Sequence, residues 1–243
     1  MKKILLYAVG CVVIVVCVVC YFAFTQTREL QECKSERDKI SGCVEKEYVD
    51  AYGARLWFET PYKNGKKHGI AKRYYENGKL ASEIPYKNGE PHGVVKKYYG
   101  NGNLEYETPY KNGKKHGIEK WYYENGNLRL EFPYQNDKLH GVEKKYYENG
   151  KPKYEIPYRN GEKHSMGKGY YESGNLEYET PFENGKPHGV EKWYYENGNL
   201  QAQVTYENGS VVSGVCGDGK KIPNIQGLGY WDIGKQIPET CKK

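Results

Sequence analysis

Six histidines recur at a fixed interval: His68, His92, His116, His140, His164 and His188, each 24 residues after the one before. Neutral imidazole is the commonest transition-metal ligand, so the series first suggests a metal site. The spacing argues against one. Equivalent residues two strands apart stand about 9.5 Å from each other, whereas ligands sharing a zinc ion sit about 2 Å from it. A His before Gly at a turn reads instead as a local hydrogen-bonding and packing residue. Glu105, Glu107, Glu177 and Glu179 could form the paired carboxylates of a glycoside hydrolase. A catalytic pair needs one pocket that drives two pKa values apart. These acids recur on a face that also carries lysines, the pattern of solubilising and cross-strand charges. The sequence has no nucleophile elbow, no Gly-rich phosphate loop opening a helix and no Cys or His cluster at metal spacing. We therefore expect no catalytic residue, no metal, no cofactor and no enzyme.

The remaining reactive side chains are cysteines. Cys11, Cys17 and Cys20 lie in an apolar stretch, which leaves Cys33, Cys43, Cys216 and Cys241, two pairs that bracket the repeats. Local bridges from Cys33 to Cys43 and from Cys216 to Cys241 would clamp both ends in an oxidising compartment, although four cysteines allow three connectivities. One straight helix over 28–43 would hold the first pair about 15 Å apart, too far to bond, but Ser41 and Gly42 offer a break.

The elements that position these residues follow the same 24-residue step. Tyrosine doublets fall at Tyr74 and Tyr75, Tyr98 and Tyr99, and so on to Tyr194 and Tyr195, and prolines at Pro61, Pro85, Pro109, Pro133, Pro157 and Pro181. Such self-similarity marks a repeat architecture. Each unit holds two turn signals, one like Lys63, Asn64 and Gly65 and one like Glu76, Asn77 and Gly78; Asn-Gly favours hairpins because both residues tolerate positive φ. Alternation sets Ile70, Lys72 and Tyr74 against Ala71, Arg73 and Tyr75, and Leu104, Tyr106, Thr108 and Tyr110 against Glu105, Glu107 and Pro109, so one face should be aromatic and the other charged. With 26 Tyr against 5 Phe and 2 Met, ladders of tyrosine would replace a closed core. The expectation is an all-β fold: a single-layer antiparallel hairpin meander over 45–212, about seven repeats, with worn ends at Gly53, Ala54, Ser165 and Val212. A Gly-rich cap follows at 213–243, and 28–44 forms a short linker or helix with the first Cys pair.

Ile4 to Phe24 carries no charge over 21 residues and follows Lys2 and Lys3. A helix of that length crosses a hydrocarbon core of about 30 Å. Residues 1–27 thus read as a signal anchor and transmembrane helix with the N-terminus cytoplasmic and the repeats extracytoplasmic, in the periplasm or at the cell surface of a bacterium. The formal charge is +6, with acids and bases interspersed rather than clustered, which excludes a nucleic-acid binder.

Segments such as Tyr62-Lys-Asn-Gly-Lys-Lys-His-Gly69 and Tyr74-Tyr-Glu-Asn-Gly78 resemble the MORN repeat, in its bacterial 24-residue variant found in YwqK-like proteins often labelled antitoxins. The resemblance covers about 170 residues. It implies an interaction or membrane-associated module: a membrane-anchored scaffold for a protein partner, a phospholipid adaptor with Lys66, Lys67, Lys114 and Lys115 against anionic lipid, or an immunity protein that neutralises a toxin. A polysaccharide is a further candidate ligand. Trp57, Trp121 and Trp193 offer large amphipathic rings. Trp121 and Trp193 take equivalent places on the expected charged face and are the candidate partner-binding residues.

Overall fold

A computed structural model describes residues 30–49 and 55–226 together with positions 228, 234, 237, 240 and 241. The expected membrane span at Ile4 to Phe24 and the worn positions Gly53 and Ala54 lie outside the described residues, as does most of the tail after 226. Among the described residues no helix is long and apolar enough to cross a membrane.

The described strands make one antiparallel sheet. Each repeat contributes a six-residue strand (Gly69–Tyr74), an eight-residue strand (Leu80–Lys87) and a two-residue strand (Glu90–Pro91), and the pattern recurs without change of length to Lys186–Pro187. Preceding it are Cys43–Tyr48, Leu56–Lys63 and Lys66–Lys67; Gly189–Tyr194, Leu200–Glu207 and Ser210–Cys216 end it.

The two turns of a repeat differ in kind. In the tight hairpin turn both residues have positive φ, +53° at Asn64 and +69° at Gly65, as a type I′ turn requires. In the other only the glycine does, Gly78 at +79°. Gly78 N–H donates to Tyr75 O and Tyr75 N–H to Lys79 O, while Asn77 Oδ1 accepts from the Lys79 N–H. The expectation that Asn-Gly acts alike at both places is therefore corrected: Asn77 serves through its side chain, and the longer loop ends in a lone left-handed glycine.

The coincidence of His-Gly with Pro has a steric cause. His92 N–H donates to Pro85 O, and Gly93 at φ +116° approaches Pro85 so closely that a Cβ there would meet the ring at 3.0 Å. That backbone conformation and that contact both exclude side chains. Ser165 fills the equivalent place at φ +68°, inside the left-handed helical region.

The ends imitate a missing neighbour. Inside the array Gly89 N–H donates to Lys67 O of the preceding repeat. At the N-terminal end a one-turn helix, α1 (Asp38–Ser41), supplies the equivalent acceptors, since Asn64 and Gly65 donate to Ile40 O and Lys39 O. Because α1 is so short, Cys33 and Cys43 come to a Cα separation of 5.2 Å and are bonded. Cys216 and Cys241 are bonded likewise. Beside that second bridge Ala202, Val204, Tyr206, Val211, Ile222, Ile225 and Ile237 form the buried apolar core. The repeats bury only scattered side chains such as Ala81, Thr108, Glu119, Thr180 and Phe182, while the C-terminal end builds a conventional core.

Candidate interaction faces

Strand register decides which side chains share a face. Lys97 pairs with Tyr106 and Tyr98 with Leu104, so Glu105 is an extra residue, a β-bulge repeated in each hairpin. Strict alternation therefore fails at its end of the strand. Glu105 turns to the side of Tyr106, where Lys97 binds it at 3.0 Å and lies over the Tyr106 ring.

The first face is a charge ladder beside an apolar row. Lys46 stands opposite Glu59, Glu59 opposite Lys72 and Lys72 opposite Glu83. The alternation continues strand by strand through Lys96, Glu107, Lys120 and Glu131 to Lys192. Closest contacts include Lys144 to Glu155 at 3.2 Å. Each glutamate also accepts from the first tyrosine of a doublet one repeat on, as Glu59 does from Tyr74 at 2.7 Å and Glu131 from Tyr146 at 2.8 Å. Burial, then the adjoining carboxylate, pushes the Tyr122 and Tyr146 hydroxyls up to about 12 and raises those of Tyr98, Tyr170 and Tyr194. Alongside runs an apolar row in which Ile70 faces Pro85 and Val94 faces Pro109.

The second face is aromatic with buried acids. Glu119, Glu143 and Glu191 are buried. Glu119 accepts from Thr108 Oγ1 at 3.1 Å and Trp121 Nε1 at 2.6 Å, and Lys115 caps it. Glu191 accepts from Thr180 and Tyr206 at 2.6 and 2.9 Å, and burial raises its pKa despite those donors. Glu177, in a bulge position equivalent to Glu105, is also raised by burial, against the opposing pull of Lys153.

Trp121 and Trp193 belong to this aromatic face and not, as alternation alone suggests, to the charged one, because the register aligns Trp121 with Tyr106 and Trp193 with Tyr178. Ring centroids lie 4.6 and 5.0 Å apart in the two pairs. Arg129 covers Trp121 at 5.7 Å. Trp193 packs on the C-terminal core, where a Cβ at Gly234 would meet its ring at 3.3 Å. Trp57 meets Phe58 edge-on under Arg73. The two candidates thus occupy equivalent repeat positions with unequal surroundings.

Among the described residues no three His, Cys, Asp or Glu side chains converge as metal ligands. His92 and His188 present Nδ1 to the Asn112 and Asn208 N–H groups one repeat on, at 3.4 Å. Residue-by-residue alternation overlooked the continuous Lys–Glu ladder, which appears once the eight-residue strands are laid against the six-residue ones in hairpin register.

The model of the MORN repeat variant family matches six consecutive stretches, 67–88, 91–112, 115–136, 139–160, 163–184 and 187–208, together more than half of the chain. No curated protein matches it.

Proposed function

Since the chain belongs to the MORN repeat variant family and is an all-β repeat scaffold, we propose that it holds a protein partner at the cell envelope, tethered by Ile4 to Phe24 as a single-pass anchor. One observation carries this reading. The doublet tyrosines, the ladder glutamates and turn amides such as that of Asn127 are spent on bonds between neighbouring repeats, and the surface is long and periodic with two unlike faces. Such surfaces suit extended binding.

The two disulfides, one at each end of the array, support an extracytoplasmic location, because such bonds persist in oxidising compartments. In this reading the N-terminus is cytoplasmic and the partner docks on the aromatic face around Trp121, with Trp193 at its distal end. A chain tagged after Lys243 is expected to be cut by protease on intact cells or spheroplasts and to shift on a gel when reduced. Protection together with free thiols refutes the location. Capture of a partner from envelope extract is expected to fall at least tenfold with Trp121→Ala, and unchanged capture refutes the docking face.

A second reading, an anionic-lipid adaptor, draws on the two-residue strands Lys66–Lys67 and Lys114–Lys115, which follow the tight hairpin turns. It requires liposome binding that vanishes at moderate salt. The immunity-protein alternative requires rescue from a co-expressed toxin.

A further inference from the structure

Among the described residues the ladder face carries the largest periodic apolar exposure. Ile70, Val94, Ile118, Val142, Met166 and Val190 are between 39 and 51 % exposed, one per repeat. The first five stand opposite prolines, so Ile or Val and Pro alternate from strand to strand. At the N-terminal end Val44, Pro61 and Ile70 line one hollow with Lys46, Glu59 and Lys72, which places the apolar row and the charge ladder side by side.

We propose that this face pairs with the same face of a second copy of the chain, the two arrays running antiparallel. The inference builds on the scaffold reading by naming a second occupant, on the face opposite Trp121.

Charge selects that occupant. A ladder that alternates Lys and Glu at every strand has no net sign to attract an acidic or a basic surface, but it complements a ladder of the same spacing displaced by one strand. A twofold axis parallel to the strands, passing between Glu107 and Lys120, brings Glu107 of one copy to Lys120 of the other and Lys96 to Glu131. The same operation lays Ile70, Val94, Ile118, Val142 and Met166 of one copy on prolines of the other. Axis positions half a strand to either side, passing through Glu107 or through Lys120, oppose like charges, so repulsion as well as attraction restricts the pair to axes that pass between strands.

Area is sufficient for a pair of modest strength. Twelve facing strands about 4.8 Å apart, with a band roughly 11 Å wide holding the apolar row and the ladder, bury about 1,200 Å² in total, the lower end for specific interfaces. Antiparallel pairing sends the two N-terminal segments to opposite ends of the assembly, so one pair can join two anchors on separate membranes.

The test uses the full chain in detergent micelles, with protein mass read by light scattering. A paired mass is expected at about 50 µM, in keeping with a small interface. Val94→Asp with Ile118→Asp is expected to halve that mass while circular dichroism and melting stay unchanged. A wild-type chain monomeric up to about 100 µM, or a paired mass that survives both substitutions in a folded chain, overturns the proposal. If the aspartate variant fails to fold, the ladder decides. An acidic chain (Lys96→Glu, Lys120→Glu) and a basic one (Glu107→Lys, Glu131→Lys) are each expected to be monomeric and to pair when mixed, and failure to pair on mixing overturns the antiparallel register. A monomeric wild-type chain that still captures a protein through Trp121 overturns the pairing alone; a paired chain that captures nothing overturns only the scaffold reading.

Discussion

The hydroxyl of Tyr123 donates to the backbone carbonyl of Tyr146 at 2.9 Å, tying each repeat to the next at a point where the sheet's own hydrogen bonds have ended. Tyr99 does the same to Tyr122 at 2.7 Å and Tyr147 to Tyr170 at 2.7 Å. At the last doublet Tyr195 donates to Cys241 O at 2.6 Å, so the cap takes the place of a further repeat. The second tyrosine of each doublet binds forward to backbone, while the first binds back to a glutamate.

Removing one hydroxyl tests that division of labour. Tyr123→Phe keeps the ring and leaves the Tyr146 carbonyl without its donor, so it should cost about 1 kcal/mol in urea unfolding. Because the array is stabilised between neighbours, the loss should appear as a lower midpoint and leave the denaturant slope unchanged.

The first tyrosines make the fold sensitive to alkali. Burial and the adjacent carboxylates raise Tyr122 and Tyr146 from an ordinary value of 10 to about 12. A group whose folded pKa exceeds its unfolded one contributes stability that is complete below the unfolded value and is lost as pH rises through the folded one. Stability should therefore hold to about pH 10 and decline toward pH 12. Phenolate absorbance and the sheet signal in circular dichroism should change together; tyrosines that ionise at pH 10 while the sheet stays intact would contradict it.

Backbone strain singles out one repeat. Ser165 holds φ +68° where its equivalents are glycines, Gly117 at +116° and Gly141 at +121°. Ser165→Gly should raise thermal stability by up to about 1 kcal/mol. Gly117→Ala places a Cβ 3.2 Å from Pro109 on a backbone that L residues rarely adopt, and should lower stability by more than the first change raises it. Melting of the two variants side by side checks both signs.

Much of this architecture was legible in the sequence because one step governs everything: His, Pro and the tyrosine doublets keep phase, and hairpin turns follow from Asn64 and Gly65. The division of faces was not. Alternation read along a single strand cannot see the bulge at Glu105, and it cannot know that Trp121 lies across from Tyr106. Glu119, Glu143 and Glu191 recur in the same Gly, Ile or Val, Glu, Lys context and are all buried, but a charged residue type gives no sign of that in one dimension; the Tyr206 hydroxyl and Thr180 that bond Glu191 come from other strands.

The second disulfide should be worth more than the first. Cys216 to Cys241 closes a separation of 25 residues and holds Ile237 in the core, whereas Cys33 to Cys43 closes 10. The chain-entropy account assigns such loops about 2 to 4 kcal/mol, rising with length. Replacing Cys216 and Cys241 together by Ser should loosen the cap, withdraw the Cys241 carbonyl from Tyr195 and expose Tyr206 and Trp193, with unfolding spreading inward from the last repeat. Hydrogen exchange should report faster opening over 200–216 than over 93–111 in that variant. Uniform acceleration along the array would show instead that the repeats open as one unit and that the cap does not guard its end.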